Sequence, residues 1–279
     1  MEKTELKTAR KNQVVKDNEL IQTASYMLTA EEQKLLCYVI SKIKPTDREF
    51  TRYTISALDF AEVCGIDKRH VYRDFKKMAD GLDEKRRWIK IGDDNVKFGV
   101  FSETEYNERR GSITVVLNSR LQKHLLGLID TGAHYTQYEL WNVLSLKSKY
   151  SVRLYELFRS YSYQHKKEFG IDELRALLCV ENYSMFGDFK RRVLDKAIAE
   201  INKYTDLKVS FEPVSVGREH RVVGVIFYIS KKELNEKMGA YWETVNRINA
   251  KNKQIPGQRS IFDDDMEYAI THSQQIKIT

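Results

Sequence analysis

The phrase Asp74-Phe75-Lys76-Lys77 returns as Asp188-Phe189-Lys190-Arg191, 114 positions later, and each copy opens an amphipathic helix. A duplicated unit builds a duplicated fold, so the chain is constrained to two similar modules. The context is duplicated as well. A short apolar stretch ending in a cysteine precedes each copy, Leu58 to Cys64 and Leu174 to Cys179. Both halves then read as short helix, turn, longer basic helix and strands with a charged hairpin. That order is a winged helix-turn-helix written twice: an α+β fold of two tandem domains related as an internal repeat. A helix-turn-helix is foremost a device for placing a helix in the DNA major groove.

Length agrees, since 279 residues suit two domains of about 100–150 residues each. The expected division is a flexible N-terminus over 1–12, a first winged domain over 13–131, a second over 132–234 and a tail over 235–279. Asp130-Thr131-Gly132 marks the boundary. The formal net charge is +7, and residues from Asn235 onward hold six Lys/Arg and six Asp/Glu, so the whole excess sits before them. This surplus permits binding to nucleic acid without requiring it. Cys37, Cys64 and Cys179 are scattered in apolar stretches and read as reduced core residues, neither a disulfide framework nor a metal site. No apolar run is long enough for a membrane span, and MEKTELKTARKN lacks the apolar core of a signal peptide. The expectation is a soluble cytoplasmic protein.

Local signals place the elements. Thr29 with Glu32 three positions on forms a capping box opening a helix to about Ile43, which Pro45 stops. Val14 to Ile21 reads as a short extended piece, and Phe50 to Ile55 as a strand. Ser56 caps a short helix through Val63, with Gly65 as its stop. The longer helix covers 68–82. Trp88 to Ile91 and Val96 to Phe101 flank a hairpin at Gly92-Asp93-Asp94-Asn95, Ser112 to Leu117 adds a strand, and Arg120 to Ile129 a closing helix. In the second half, helices are expected over Tyr150 to Tyr163, 171–179 and 186–204. Strands follow at Leu207 to Phe211 and Val222 to Ile229, joined by a wing from Pro213 to Arg221. The tail is expected to hold a helix around Ala240 to Asn249, a break at Pro256-Gly257 and a solvated acidic patch at Asp263 to Asp265.

At about 100° per residue, Val71, Phe75, Met78, Ala79 and Leu82 share one arc of the first long helix. Arg69, Arg73, Lys76 and Lys77 share the opposite arc, with no acid among them. That side suits phosphates, and equally an ordinary solvated face. In the second long helix Phe186, Phe189, Val193, Ala197, Ile201 and Tyr204 make the apolar arc. Arg192, Lys196 and Lys203 line one flank, Arg191 lies opposite the core, and Lys190 projects into the apolar arc. Arg218, His220 and Arg221 in the wing extend a basic footprint, or decorate an ordinary hairpin.

Enzyme signatures are missing. There is no phosphate-binding G-x-x-x-x-G-K-[ST] loop, no H-E-x-x-H, no G-x-S-x-G, and no histidine pair of the kind a metal-dependent DNA nickase carries. The expectation is no catalytic residue, no metal and no cofactor. A transcriptional regulator, a rolling-circle nickase and an interaction scaffold are the competing readings.

The segment YELWNVLSLKSKYSVRLYELFRSY (138–161), followed by FGIDELRALL and FKRRVLDKAIAEIN, resembles the plasmid replication initiator family of the RepB, RepE and pi type. NQVVKDNELIQTASYMLTAEEQKLLCYVIS is similar to that family's opening, and the resemblance covers about residues 12–232. It implies tandem winged-helix domains, no enzymatic activity, and sequence-specific binding to directly repeated origin sites (iterons). It further implies that the helix from Ser184 through Lys203 is the principal major-groove reader, through Lys190, Arg191, Arg192 and Lys196. The first domain would add contacts through Arg69, Arg73, Lys76 and Lys77. Also implied are monomers that initiate, dimers joined through the first domain that repress their own promoter, and recruitment of a host initiator protein and replicative helicase. One departure is Lys196, where members often carry proline in V-L-[DN]-P-A. The substitution predicts a straighter, more continuous helix.

Overall fold

The computed structural model describes residues 8–44, 46–65, 71–83, 89–91, 96–128, 132, 134–180, 182–218 and 221–252. The expected hairpin at Gly92–Asn95, Pro45, the acidic patch at Asp263–Asp265 and the break at Pro256-Gly257 lie outside them. After a helical turn over residues 8–11, β1 (Gln13–Asp17) leads into α1 (Asn18–Thr23) and α2 (Ala30–Ile40). The capping box opens α2 as its residues dictate. Thr29 Oγ1 accepts from the Glu32 amide at 3.2 Å, and Glu32 Oε2 accepts from the Thr29 amide at 2.7 Å. Every residue of α2 except Glu31 is buried, so this helix is central to the molecule.

The first winged module runs β2 (Tyr53–Ser56), α3 (Ala57–Cys64), α4 (Val71–Asp83), β3 (Phe101–Asn107) and β4 (Ser112–Leu117), with sheet order β2-β4-β3. Ser56 caps α3 by accepting from the Asp59 amide, and Gly65 ends it at φ +67°. A Cβ on Gly65 would stand 2.9 Å from the Ile248 backbone, so both conformation and space demand glycine. The strand expected at Phe50–Ile55 starts later, at Tyr53. β3 was not legible at all, because a bulge between Phe101 and Glu103 breaks its alternation. Its hairpin with β4, turning at Glu108–Gly111, is the wing observed here. The expected strands flanking Gly92–Asn95 reduce to single bridges, Ile89 with Phe98 and Lys90 with Ser25. The closing helix is only a 3-10 turn, Ser119–Leu121, and α5 (Gln122–Leu125).

β5 (Tyr135–Glu139) then returns to the start of the chain and pairs antiparallel with β1, from Gln13 opposite Glu139 to Asp17 opposite Tyr135. α6 (Trp141–Leu144) and α7 (Lys149–Tyr161) lead to the second module. That module comprises β6 (Lys166–Gly170), α8 (Ile171–Leu177), α9, β7 (Leu207–Val216) and β8 (Arg221–Lys231), with sheet order β6-β8-β7. In both sheets the last strand is central and the strand before the short helix lies at one edge, so the repeat is topological. α9 is one run of three joined parts: Phe186–Phe189, a π-helical turn at Lys190–Leu194, and Asp195–Tyr204.

Buried side chains from both modules form one continuous core. α10 (Leu234–Asn252) closes it. Ala240, Tyr241, Thr244, Val245, Ile248 and Asn249 are buried at helical spacing. Tyr241 meets the Trp141 ring edge-on, Ile248 packs on Gly65 of α3, and Thr244 Oγ1 donates to the Tyr204 carbonyl at the end of α9. The segment from Asn235, expected as a tail with one shorter helix, therefore begins as a brace across both modules. Near the N-terminal end Ala9 and Arg10 are likewise packed, where looseness was expected over 1–12. Arg10 is buried and its Nη2 donates to the Glu62 carbonyl at 2.9 Å, a cation on the last turn of α3.

A buried charge pair ties β1 to α7. Lys16 Nζ lies 2.6 Å from Glu156 Oε1, which also accepts from the Tyr138 hydroxyl on β5, and Cys37 of α2 faces both. Burial alone would raise the Glu156 carboxyl, but the Lys16 ammonium and these hydrogen bonds hold it below the usual carboxylate range. Burial alone would lower Lys16, and the facing Cys37 and Glu156 instead raise it. Burial pushes the Cys37 thiol up to about 11. A depressed carboxylate contributes stability above its unfolded pKa and loses it as pH falls through the folded one; a raised lysine contributes below its unfolded pKa. The pair is thus at full strength from about pH 5 to 10. Glu156→Gln is expected to cost about 3–5 kcal/mol at pH 7, because Lys16 stays buried without a counter-charge. Urea midpoints measured from pH 3 to 7 should show that the variant lacks part of the wild-type acid sensitivity; an equal slope in both would refute this account.

Candidate nucleic-acid interface

Each module seats its long helix on apolar anchors and leaves cations outside. In α4, Val71, Phe75, Met78, Ala79 and Leu82 are all buried, the arc projected from the sequence. Arg73, Lys76 and Lys77 are exposed on the other side, and Arg69 lies outside the described residues. Arg73 Nε donates to Asp74 Oδ1 at 3.1 Å. Lys76 Nζ donates to Glu108 Oε1 at 3.2 Å and sits 5.2 Å above the Tyr106 ring. Lys77 has no acidic partner among the described residues.

The β3–β4 wing lies beside α4. Gly111 has φ +55°, and a Cβ there would stand 1.8 Å from the Tyr72 ring, so only glycine lets the wing approach. Arg109 and Arg110 are exposed in this turn and extend the positive face. Sequence reasoning missed them by placing the hairpin earlier; an Arg-Arg-Gly step before the alternating Ser112–Leu117 was the available signal.

In α9, Phe189, Val193, Leu194, Ala197, Ile198 and Ile201 are buried, while Phe186 and Tyr204 are partly so. Arg191, Arg192 and Lys196 are exposed. Arg191 Nη2 donates to Asp188 Oδ1 at 2.7 Å, and Arg192 Nε lies 3.7 Å from the same oxygen. Exposed pairs of this kind contribute about 0.2–1 kcal/mol, so the guanidinium groups can exchange them for other anions. Lys196 has no acidic partner among the described residues. Lys190 is half-buried. Its ammonium sits 5.5 Å from the centre of the Phe211 ring and donates to both Asp195 oxygens, at 3.0 and 2.9 Å. A lysine projected into an apolar arc escapes by reaching along it to the rim, and Lys190 there engages both oxygens of an aspartate of its own helix.

The continuity expected from Lys196 is present. The helix is continuous, but it widens at Lys190–Leu194, where the Asp195 amide bonds the Lys190 carbonyl five residues back. A π turn changes the phase between the cations within it, Lys190, Arg191 and Arg192, and Lys196 after it, and such turns recur at functional sites. The helix is braced at both ends. Arg175 of α8 donates to the Ser184 carbonyl at 2.7 Å and covers Phe189. Lys232 donates to the Asn202 and Thr205 carbonyls, and the Asn202 side chain exchanges two hydrogen bonds with Val209 of β7.

The second wing is longer than expected. Pro213, assigned to the loop, lies in β7 opposite Val225; this is tolerated because β7 is an edge strand. The strands therefore run to Val216 and resume at Arg221, and Gly217 leaves β7 at φ +73°. Arg218 and Arg221 are exposed there, and His220 lies outside the described residues.

Elsewhere, Asp17, Glu19 and His124 come together. Their bonds explain the cluster. Asp17 caps α1 through one oxygen and meets His124 Nδ1 at 2.9 Å through the other, while Lys123 approaches Glu19 at 3.7 Å. Among the described residues no helix is long and apolar enough to cross a membrane.

Residues 13–159 match the family model described as Initiator Replication protein, WH1, and residues 170–229 that described as Initiator Rep protein, WH2. A "Replication initiation protein" of Escherichia coli is 27% identical over 256 residues, spanning 87% of this chain and 77% of the relative. The "PI protein" of Escherichia coli is 27% identical over 188 residues, spanning 56% of this chain and 61% of the relative. Among solved structures, the Pi initiator protein in complex with iteron DNA is similar with a TM-score of 0.64 at 24% identity, covering 80% of this chain and 99% of that one. This likeness shows the fold, two tandem winged-helix domains.

Proposed function

Because the chain belongs to the initiator replication protein family, matched over both its WH1 and WH2 portions, we propose that it starts plasmid replication by binding directly repeated origin sites, the iterons. The observation that carries this reading is the duplicated pairing of a basic helix with a basic wing, built twice on one topology. In the proposed complex α9 is the principal major-groove reader, through Arg191, Arg192 and Lys196, with Lys190 joining once it leaves Asp195. Arg218 and Arg221 reach the flanking backbone. The face of α4, with Arg73, Lys76 and Lys77, contacts the same repeat as an auxiliary, and Arg69, two residues before α4 in the sequence, is proposed to join them.

The work is recognition and deformation of DNA, without bond-making. Bending a site costs on the order of 1–6 kcal/mol, offset by the extra contacts the bend permits. Cooperative occupancy of tandem sites then opens an adjacent A·T-rich segment, where the host initiator protein and replicative helicase assemble. The first domain (13–131) carries dimerisation, and dimers repress the protein's own promoter. The setting is the bacterial cytoplasm.

Footprinting on the DNA around the gene tests this. The expected result is regularly spaced protection of direct repeats, with affinity falling in salt by about 0.9 log units per log unit of salt for each phosphate contact. A single protected palindrome would indicate a transcriptional regulator, a covalent protein–DNA adduct formed with divalent metal a nickase, and absence of salt-dependent binding a scaffold. Any of the three overturns the proposal.

A further inference from the structure

The repeated phrase contains an element that phosphate binding does not need. In both copies an aspartate precedes the buried aromatic anchor: Asp74 before Phe75 and Asp188 before Phe189. Each aspartate is on the exposed side of its helix and holds an arginine. Asp74 takes Arg73 at 3.1 Å, and a single oxygen of Asp188 faces Arg191 at 2.7 Å and Arg192 at 3.7 Å. A face meant only for phosphates gains nothing from a carboxylate among its cations. Resting on the proposed reading of α9, we propose that Asp188 is a specificity-determining residue, the acid that withholds Arg191 and Arg192 from indiscriminate phosphate contact.

On DNA of arbitrary sequence the carboxylate is repelled by the backbone and keeps both guanidinium groups partly occupied. At the cognate repeat, a base amino group, cytosine N4 foremost, donates to Asp188 and replaces the arginines, which turn to guanine O6 and N7. Discrimination then comes from a repulsive element as much as from attractive ones. Asp74 is the corresponding group on α4, and among the described residues it serves one arginine. An acid in the first turn also favours the positive end of a helix, but that role has no bearing on which DNA is bound.

The test uses the full chain with a direct-repeat duplex and a scrambled duplex of equal length and composition, each titrated across a salt series. Asp188→Asn is expected to bind the scrambled duplex more tightly, with a salt slope steeper by about one unit. Affinity for the repeat should not rise, so discrimination falls by about tenfold, within what one base contact supplies. Asp188→Glu, which keeps the charge, should retain wild-type discrimination. Asp188→Ser, also compatible with a helix start, replaces the asparagine variant if that one melts early. Unchanged discrimination in a folded, uncharged variant overturns the inference while leaving the proposed function standing. Failure of the wild type itself to prefer the repeat overturns both.

Discussion

A chain ended after Glu233 is expected to lose cooperative folding, or to melt about 15 °C or more below the full-length protein. Removing α10 uncovers the surface that Tyr241, Val245 and Ile248 bury against α6, α9 and the end of α3. At about 1.5–3 kcal/mol for each large apolar side chain, the loss is on the order of 5–8 kcal/mol, comparable with the whole stability of many domains. For a protein of this size each kcal/mol shifts the melting temperature by about 2–4 °C. Ile248→Asp in the complete chain should reproduce much of the effect, because it buries an unpaired charge over Gly65. Thermal melts followed by circular dichroism decide the matter: a two-state transition within about 3 °C of the full-length value would show that α10 is ornamental.

Reversing Arg191 and Arg192 to glutamate should lower affinity for repeat DNA by about a thousandfold or more while leaving the fold intact. The two side chains are 70% and 54% exposed, and their shared pairing with Asp188 contributes little to stability. Two base or phosphate contacts at about 1–3 kcal/mol each are lost, and two repulsions replace them. Titration of repeat DNA at fixed salt reads the loss, with circular dichroism as the check on folding. Binding that survives within tenfold would move the principal reader from α9 to α4.

The parts of the fold governed by local chemistry were legible in the residues. Thr29 and Glu32, Ser56 and Gly65 act over three or four positions, so their caps could be read directly, and the apolar arc of α4 follows from helical geometry alone. Long-range features were not legible. β1 pairs with β5 across more than a hundred residues, and Lys16 meets Glu156 at a separation of 140. Neither strand has enough alternation to announce a partner. A bulge hid β3, and its loss displaced the first wing from Arg109 and Arg110. Most site cations emerged from projection, yet Asp188 and Asp195 as their partners did not. Phase at 100° per residue cannot anticipate a π turn.

The shared core has a mechanical consequence. With β1 laced to β5 and α10 packed on both modules, α4 and α9 are seated on one core, set apart like the jaws of a calliper. On the proposed reading such a spacing senses rotational phase along the duplex as well as base identity: moving one half of a target by half a helical turn would carry it to the far side of the DNA, away from the jaw meant to meet it.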